Sequence, residues 1–319
     1  MIKPKALQIG DVVAIIATSS PTDAAKVDKA IASIKGLGLF PIIYPSCYKK
    51  HGHLAGEDDE RLQDFHDAFK NPLIKGIICL KGGAGSTRLL SKIDFKCIEN
   101  NPKIFVGYSD VTALHVAINK ICRMVTYHGP MALSDLFILE NDTLHFEPFT
   151  LDSYQKNLFT SMPIGKIANP EGYPLKVLVE GVAEGELIGG NLSLLISTLG
   201  SPFEIDVKGK ILFIEDTNEA CYVVDRMLTA LALAGKFEEC AGIILGTWSG
   251  CKAESKTSYE GSDLTLEIIF EEVIKPFNKP TLMNLQSGHS SPHITLAFGT
   301  RVRINTKDLE ICFLESGNQ

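Results

Sequence analysis

The feature that most restricts this chain is an alternation. Between residues 12 and 127, short β-branched apolar runs (12–18, 40–44, 74–80, 103–108 and 124–127) take turns with helical patterns (24–37, 58–69, 87–93 and 111–120). Strands that are almost continuously apolar must be covered on both faces, and the helices between them supply the cover. The pattern therefore predicts an α/β unit built on a parallel sheet. In such sheets ligands collect at the carboxyl ends of the strands, where loops lead into helices.

The rhythm breaks after Pro130. Pro148, Pro163, Pro170 and Pro174 stand among mixed polar and aromatic residues, and the stretch reads as an irregular connector. Strands are then expected at 179–187, 210–215, 242–246, 281–285, 301–305 and 309–314, with helices at 192–199, 220–234 and 264–273. The turn Thr306-Lys307-Asp308 pairs the last two strands and makes the second sheet mixed. The expected division is 1–135, a connector at 136–178, and 179–319.

The chain has 319 residues, 45% of them hydrophobic and 22% charged, which suits two cored domains and not disorder. A formal charge of −7, with no Lys/Arg run, argues against nucleic acid or an anionic membrane as partner. The first apolar run follows Asp11 and has only a strand's length, so it is no signal-peptide core. No run approaches the about 20 apolar residues of a spanning helix. The eight cysteines are scattered, with no CxxC pair, and read as reduced thiols, several of them buried in apolar runs. Together these predict a soluble, cytoplasmic protein.

Four segments carry residues able to do chemistry. In Lys103-Ile-Phe-Val-Gly107-Tyr108-Ser109-Asp110 an apolar strand runs into a glycine, a serine and then a helical pattern. Such a turn lifts the hydroxyl clear of the sheet and aims helical N–H groups at the same spot, as a nucleophile and its oxyanion require. The same placement suits a plain N-cap, the commoner use of serine before a helix. The hydrolase elbow G-x-S-x-G is not met, because Val111 occupies the second glycine position.

Lys81-Gly82-Gly83-Ala84-Gly85-Ser86 also links a strand to a helix. Its glycines allow close backbone approach and free N–H groups, yet neither the P-loop nor the G-x-G-x-x-G pattern is present. Ile214-Glu215-Asp216-Thr217-Asn218 sets acids after an apolar run, where one can orient a histidine or cap the next helix. Gly288-His289-Ser-Ser-Pro292-His293 supplies two histidines, but Pro292 opposes the helix that an H-x-x-x-H zinc pair needs. His51-Gly-His53 has no further ligands near it, so no metal site is expected. The lone tryptophan, Trp248, reads as core packing before it reads as a stacking platform.

Taken together these segments resemble the LD-carboxypeptidase family of serine peptidases, which includes the microcin C immunity peptidases. The resemblance runs over nearly the whole chain. It is carried by Leu54-Ala-Gly56-Glu-Asp-Asp-Glu60-Arg61, Lys81-Gly82-Gly83, Gly107-Tyr108-Ser109-Asp110, Tyr127-His128-Gly129-Pro130, Gly189-Gly190-Asn191-Leu192, Ile214-Glu215-Asp216 with Asp225-Arg226, and Gly288-His289, in that order.

The resemblance implies Ser109 as nucleophile, Glu215 as the acid that orients the base, and His289 as the base. It implies backbone N–H groups of Gly83 and Asp110 as oxyanion donors. The fold it implies is a flavodoxin-like parallel-sheet N-terminal domain joined to a swivelling β/β/α-type C-terminal domain, with the site at their interface. The implied reaction removes the terminal D-residue from an L,D bond of murein tetrapeptide in peptidoglycan recycling, with no metal or organic cofactor, in a homodimer. An immunity-type peptidase or amidase acting on a peptidyl-nucleotide is the alternative within enzymes, and a catalytically silent binding protein of the same fold is the alternative outside them. One departure stands out: the family's glycine loop usually reads G-G-Y-G, and Ala84 replaces the tyrosine. The backbone donors survive this change, but a side chain that could shape the pocket is lost.

Overall fold

The computed structural model describes residues 1–134, 137–140, 143–252 and 264–319, so the boundary expected at 135/136 lies outside the described residues. The first half forms β1 (Val12–Ile16), α1 (Ala24–Gly36), β2 (Phe40–Ile43), α2 (Asp58–Lys70), β3 (Ile74–Cys79), a 3₁₀ segment (Ser86–Lys92), α3 (Phe95–Asn100), β4 (Ile104–Gly107), α4 (Thr112–Ala117) and β5 (Thr126–His128). Helix α1 buries Val27, Ala30 and Ile34, one stripe at helical spacing. Helix α2 opens on a capping box between Glu57 and Glu60, with acids in its first turn and Lys70 in its last, as the helix dipole favours.

The strands lie parallel in the order β2-β1-β3-β4-β5, which is the flavodoxin-like order. The order reverses at β1, a switch point of the kind near which sheets of this type bind ligands.

The described residues between 137 and 178 are not an irregular connector. They hold a hairpin of β6 (Phe137–Glu140) and β7 (Thr143–Phe146), helix α5 (Pro148–Leu158), and strands β8 (Gly165–Ile167) and β9 (Lys176–Val179). Pro148 begins α5, where its missing N–H is no loss, and the Glu147 carboxylate accepts from the Phe149 and Thr150 amides at 3.2 and 2.7 Å. A proline that looked like loop punctuation is thus a helix start.

Then follow β10 (Val182–Asn191), α6 (Leu192–Ser197), β11 (Ile211–Thr217), α7 (Cys221–Leu233), α8 (Lys236–Glu239), β12 (Gly242–Ser249), α9 (Leu266–Val273), β13 (Thr281–Met283), β14 (Leu296–Phe298), β15 (Arg301–Asn305) and β16 (Glu310–Phe313). The second sheet is mixed, in the order β8-β16-β15-β10-β11-β12-β13-β9. Strand β14 leaves it and pairs antiparallel with β5 of the first sheet, Leu296 opposite His128. One apolar cluster consequently runs through both sheets, from Val13, Val106 and Tyr127 to Phe213, Ile244 and Ile304.

The eight cysteines are free thiols, and all but Cys251 and Cys312 are buried. Among the described residues no helix is long and apolar enough to cross a membrane.

Candidate active site

Ser109 sits where β4 ends. Its φ of 62° is left-handed, a conformation a serine adopts only when its surroundings impose it. The Gly107 carbonyl just before it accepts from the Gly129 amide at 3.1 Å and from His115 Nε2 at 2.8 Å, which fixes the end of the strand. Ser109 is not the N-cap of the helical turn it opens, which is Tyr108; its hydroxyl lies 3.0 Å from His289 Nε2. The N-cap reading of Ser109 is therefore replaced by a side-chain pair across the two halves of the chain.

His289 stands on the loop after β13. That loop is tied to β12: the Thr247 amide and hydroxyl donate to Ser287 O at 3.0 and 3.2 Å, and Ser249 Oγ donates to His289 O. The preceding Gly288 has a φ of +118°, and a Cβ there would come within 2.6 Å of Glu215 Oε2, so only glycine lets the loop approach the acid. His289 Nδ1 lies 2.8 Å from Glu215 Oε2. The imidazole is thus held at both nitrogens and is 20% exposed.

Glu215 and Asp216 leave β11 in opposite directions. The register with β12 slips between Ile214 and Asp216, a bulge of the kind that re-aims side chains beside active sites. Glu215 turns toward His289 and is completely buried. Burial raises its pKa above the ordinary glutamate value, with His289 opposing the shift. Asp216 takes the structural task instead: it accepts from Asn191 Nδ2 at 2.8 Å and from the Ser193 amide and hydroxyl at 3.0 and 2.8 Å, at the start of α6. Sequence spacing alone left both acids open to either task.

The glycine loop lies against the nucleophile. A Cβ on Gly82 would come 3.0 Å from Ser109 Cβ. The Ser86 amide donates to Asp110 Oδ2 at 2.9 Å, and the exposed Ala84 donates its amide to Ser20 Oγ at 3.1 Å. None of these bonds uses the Gly83 amide. A second tie joins the halves of the chain, since the Asn191 amide donates to Thr112 Oγ1 of α4 at 3.0 Å.

Two buried histidines escaped the sequence reading as part of the site's support. The Tyr108 ring packs edge-on against His289, His293 and His128, with centroids 4.9, 5.1 and 5.8 Å apart. Burial lowers the pKa of His293 to about 3 and that of His128 well below its usual range, so both are neutral rings. The motif Tyr127-His128-Gly129 held the signal, but nothing in it says that the ring points inward. Among the described residues no group of three or more His, Cys, Asp or Glu side chains is arranged to hold a metal. A cleft of about 580 Å³ flanks His289 on the β12 side, lined in part by Trp248, Phe270, Tyr173, Lys176 and Gln286. Trp248 packs on Phe270 at 5.1 Å as well as lining this cleft.

The LD-carboxypeptidase N-terminal domain model matches residues 13–129, and the LD-carboxypeptidase C-terminal domain model matches residues 184–304. The chain belongs to the LD-carboxypeptidase family and is a serine-type carboxypeptidase. It is 43% identical over 315 residues to a probable murein peptide carboxypeptidase of Bacillus subtilis, covering 99% of this chain and 95% of the relative. Its fold matches a muramoyltetrapeptide carboxypeptidase of Oxalobacter formigenes with a TM-score of 0.81 at 28% identity, over 96% of this chain and 99% of that one. It also matches MccF in complex with glutamyl sulfamoyl guanosine, with a TM-score of 0.89 at 25% identity over the full length of both chains.

Proposed function

We propose that the protein is a serine carboxypeptidase that cleaves the L,D-peptide bond of murein tetrapeptide through Ser109, His289 and Glu215. The observation that carries this reading is the continuous pair of contacts, 3.0 Å from Ser109 Oγ to His289 Nε2 and 2.8 Å from His289 Nδ1 to Glu215 Oε2. His289 Nε2 takes the hydroxyl proton as Ser109 Oγ bonds to the scissile carbonyl carbon. The carbonyl oxygen gains the negative charge, and the N–H groups of Gly83 and Asp110 receive it. His289 returns the proton to the leaving amine as the C–N bond breaks, and water then resolves the acyl-enzyme by the same route. Buried Glu215 holds the tautomer that keeps Nε2 free to accept, and stabilises the imidazolium that forms.

In this reading residues 1–135 carry the nucleophile and 179–319 the acid and base, with 136–178 between them. Free thiols support a reducing cytoplasm, and the working unit is a homodimer, which light scattering checks. Release of a terminal D-amino acid from murein tetrapeptide is the direct test; an intact tetrapeptide after prolonged incubation with folded enzyme contradicts it.

The full-length match to MccF with a sulfamoyl nucleotide favours one second reading, a peptidase or amidase on a peptidyl-nucleotide. The aromatic side chains of the cleft beside His289 suit a planar base. Parallel assays on the tetrapeptide and on an acyl-sulfamoyl nucleoside separate the two by kcat/KM.

A further inference from the structure

We infer that Arg61 is a positioning residue that fixes the glycine loop against Ser109. The inference rests on the reading of Gly83 as an oxyanion donor.

Arg61 lies on α2 in the run Asp58-Asp59-Glu60-Arg61, whose charges look like an exposed helix face. Its side chain is nevertheless completely buried. Nη2 donates to Asp58 Oδ1 at 2.6 Å, while Nη1 donates to Gly85 O at 3.0 Å and to Thr18 O. Nε, also buried, has no acceptor. A buried guanidinium is unfavourable unless every N–H is matched, and a leucine or methionine would fill the same space without an orphaned donor. A local rule broken in this way beside a site points to a task.

The task is visible in what the fork grips. Thr18 follows β1 and Gly85 belongs to the loop after β3, so one side chain joins the two loops that flank the point where the strand order reverses. A Cβ on Gly85, whose φ is +127°, would lie 2.8 Å from Nη1, so the guanidinium approaches bare backbone. Gly83 lies two residues before this grip, and Ser86, one residue after it, is bound to Asp110 next to the nucleophile. Asp58 is anchored in turn by Arg88 Nε at 2.9 and 3.0 Å, so the ion pair also ties down the 3₁₀ segment that follows the loop. Without the fork, Thr18 O loses its donor, Gly85 O keeps only the Arg88 amide at 3.2 Å, and the amide of Gly83 is free to drift.

Displacement by about 1 Å costs on the order of 10²-fold in rate, comparable to losing one oxyanion donor. The test uses the full chain with Arg61→Met and Arg61→Lys, assayed on murein tetrapeptide for kcat and KM separately. A peptide boronate that forms a tetrahedral adduct on Ser109 is titrated in parallel, and Tm is recorded. Arg61→Met is expected to lower kcat about 10- to 100-fold with KM within about threefold, and to weaken the boronate by a matching factor. Arg61→Lys is expected to recover part of both.

Unchanged kcat in folded Arg61→Met, or a loss carried by KM with boronate affinity intact, overturns the inference while the proposed function stands. If Arg61→Met does not fold, Arg61→Lys decides: lowered kcat with unchanged KM supports the role, and wild-type kcat and boronate affinity overturn it. Wild-type protein that neither cleaves the tetrapeptide nor binds the boronate overturns the proposed function and this inference together.

Discussion

His289 Nε2 lies 3.0 Å from Ser109 Oγ although 180 positions separate the two residues in the chain. The contact is built from both ends. Ser109 is forced into a left-handed turn at the tip of β4, and His289 is tied to β12 through its own carbonyl. Neither side chain is left to find the other by chance, which is the preorganisation that acyl transfer needs.

The acid of the set gives a prediction with opposite signs for activity and stability. Glu215→Gln presents an amide to Nδ1 and permits the wrong imidazole tautomer, so turnover should fall by about 10²- to 10⁴-fold. Stability should move the other way. Burial raises the folded pKa of Glu215, so the unfolded carboxyl ionises first as pH rises. Wild type therefore loses stability relative to the amide through the interval above the ordinary glutamate pKa, and the deficit persists at neutral pH. Urea unfolding at pH 4 and pH 7 should show Glu215→Gln gaining on wild type between them; a variant that loses ground over that interval contradicts the assignment.

The neutral histidines predict how the fold fails in acid. His293, with its pKa held near 3, and His128, held well below its usual range, stay unprotonated in the fold while the unfolded chain binds protons from about pH 6.5 downward. Each then contributes stability that is complete above that pH and falls by about 1.4 kcal/mol per unit as pH drops toward the folded pKa. His293→Leu should flatten the slope of unfolding free energy against pH by about that amount between pH 6 and 4.5. An unchanged slope shows that His293 is not neutral in the folded state.

Thr112 predicts an effect on the tie between the two halves of the chain. Its buried Oγ1 accepts from the buried Asn191 amide, so Thr112→Val leaves an unpaired N–H and should lower stability by about 1–3 kcal/mol. Thr112→Ser should keep most of it. Equal unfolding midpoints for the valine and serine variants contradict a role for the hydroxyl.

Much of this was readable from the residues, and for identifiable reasons. The runs that became β1 to β5 are apolar enough to demand cover on both faces, and the turn at Ser109 follows from an apolar strand meeting Gly107. Local pattern failed where tertiary context decides. Strand β14 has three residues and exists because β5 offers it an edge. The bulge at Glu215, which separates the acid that meets His289 from the one that caps α6, depends on pairing with β12 and leaves no local mark. Nothing local to Arg61 marks its burial, because its partners, Thr18 O and Gly85 O, are backbone atoms of distant loops.

Whether Ser109 is the nucleophile is decided by the mass of the intact protein after reaction with a fluorophosphonate, followed by peptide mapping. One adduct is expected, on Ser109, formed by folded wild type and lost in His289→Ala. Ser109→Ala should form no adduct and hydrolyse tetrapeptide at least about 10³-fold more slowly. An adduct elsewhere, or near-normal hydrolysis by Ser109→Ala, contradicts that role.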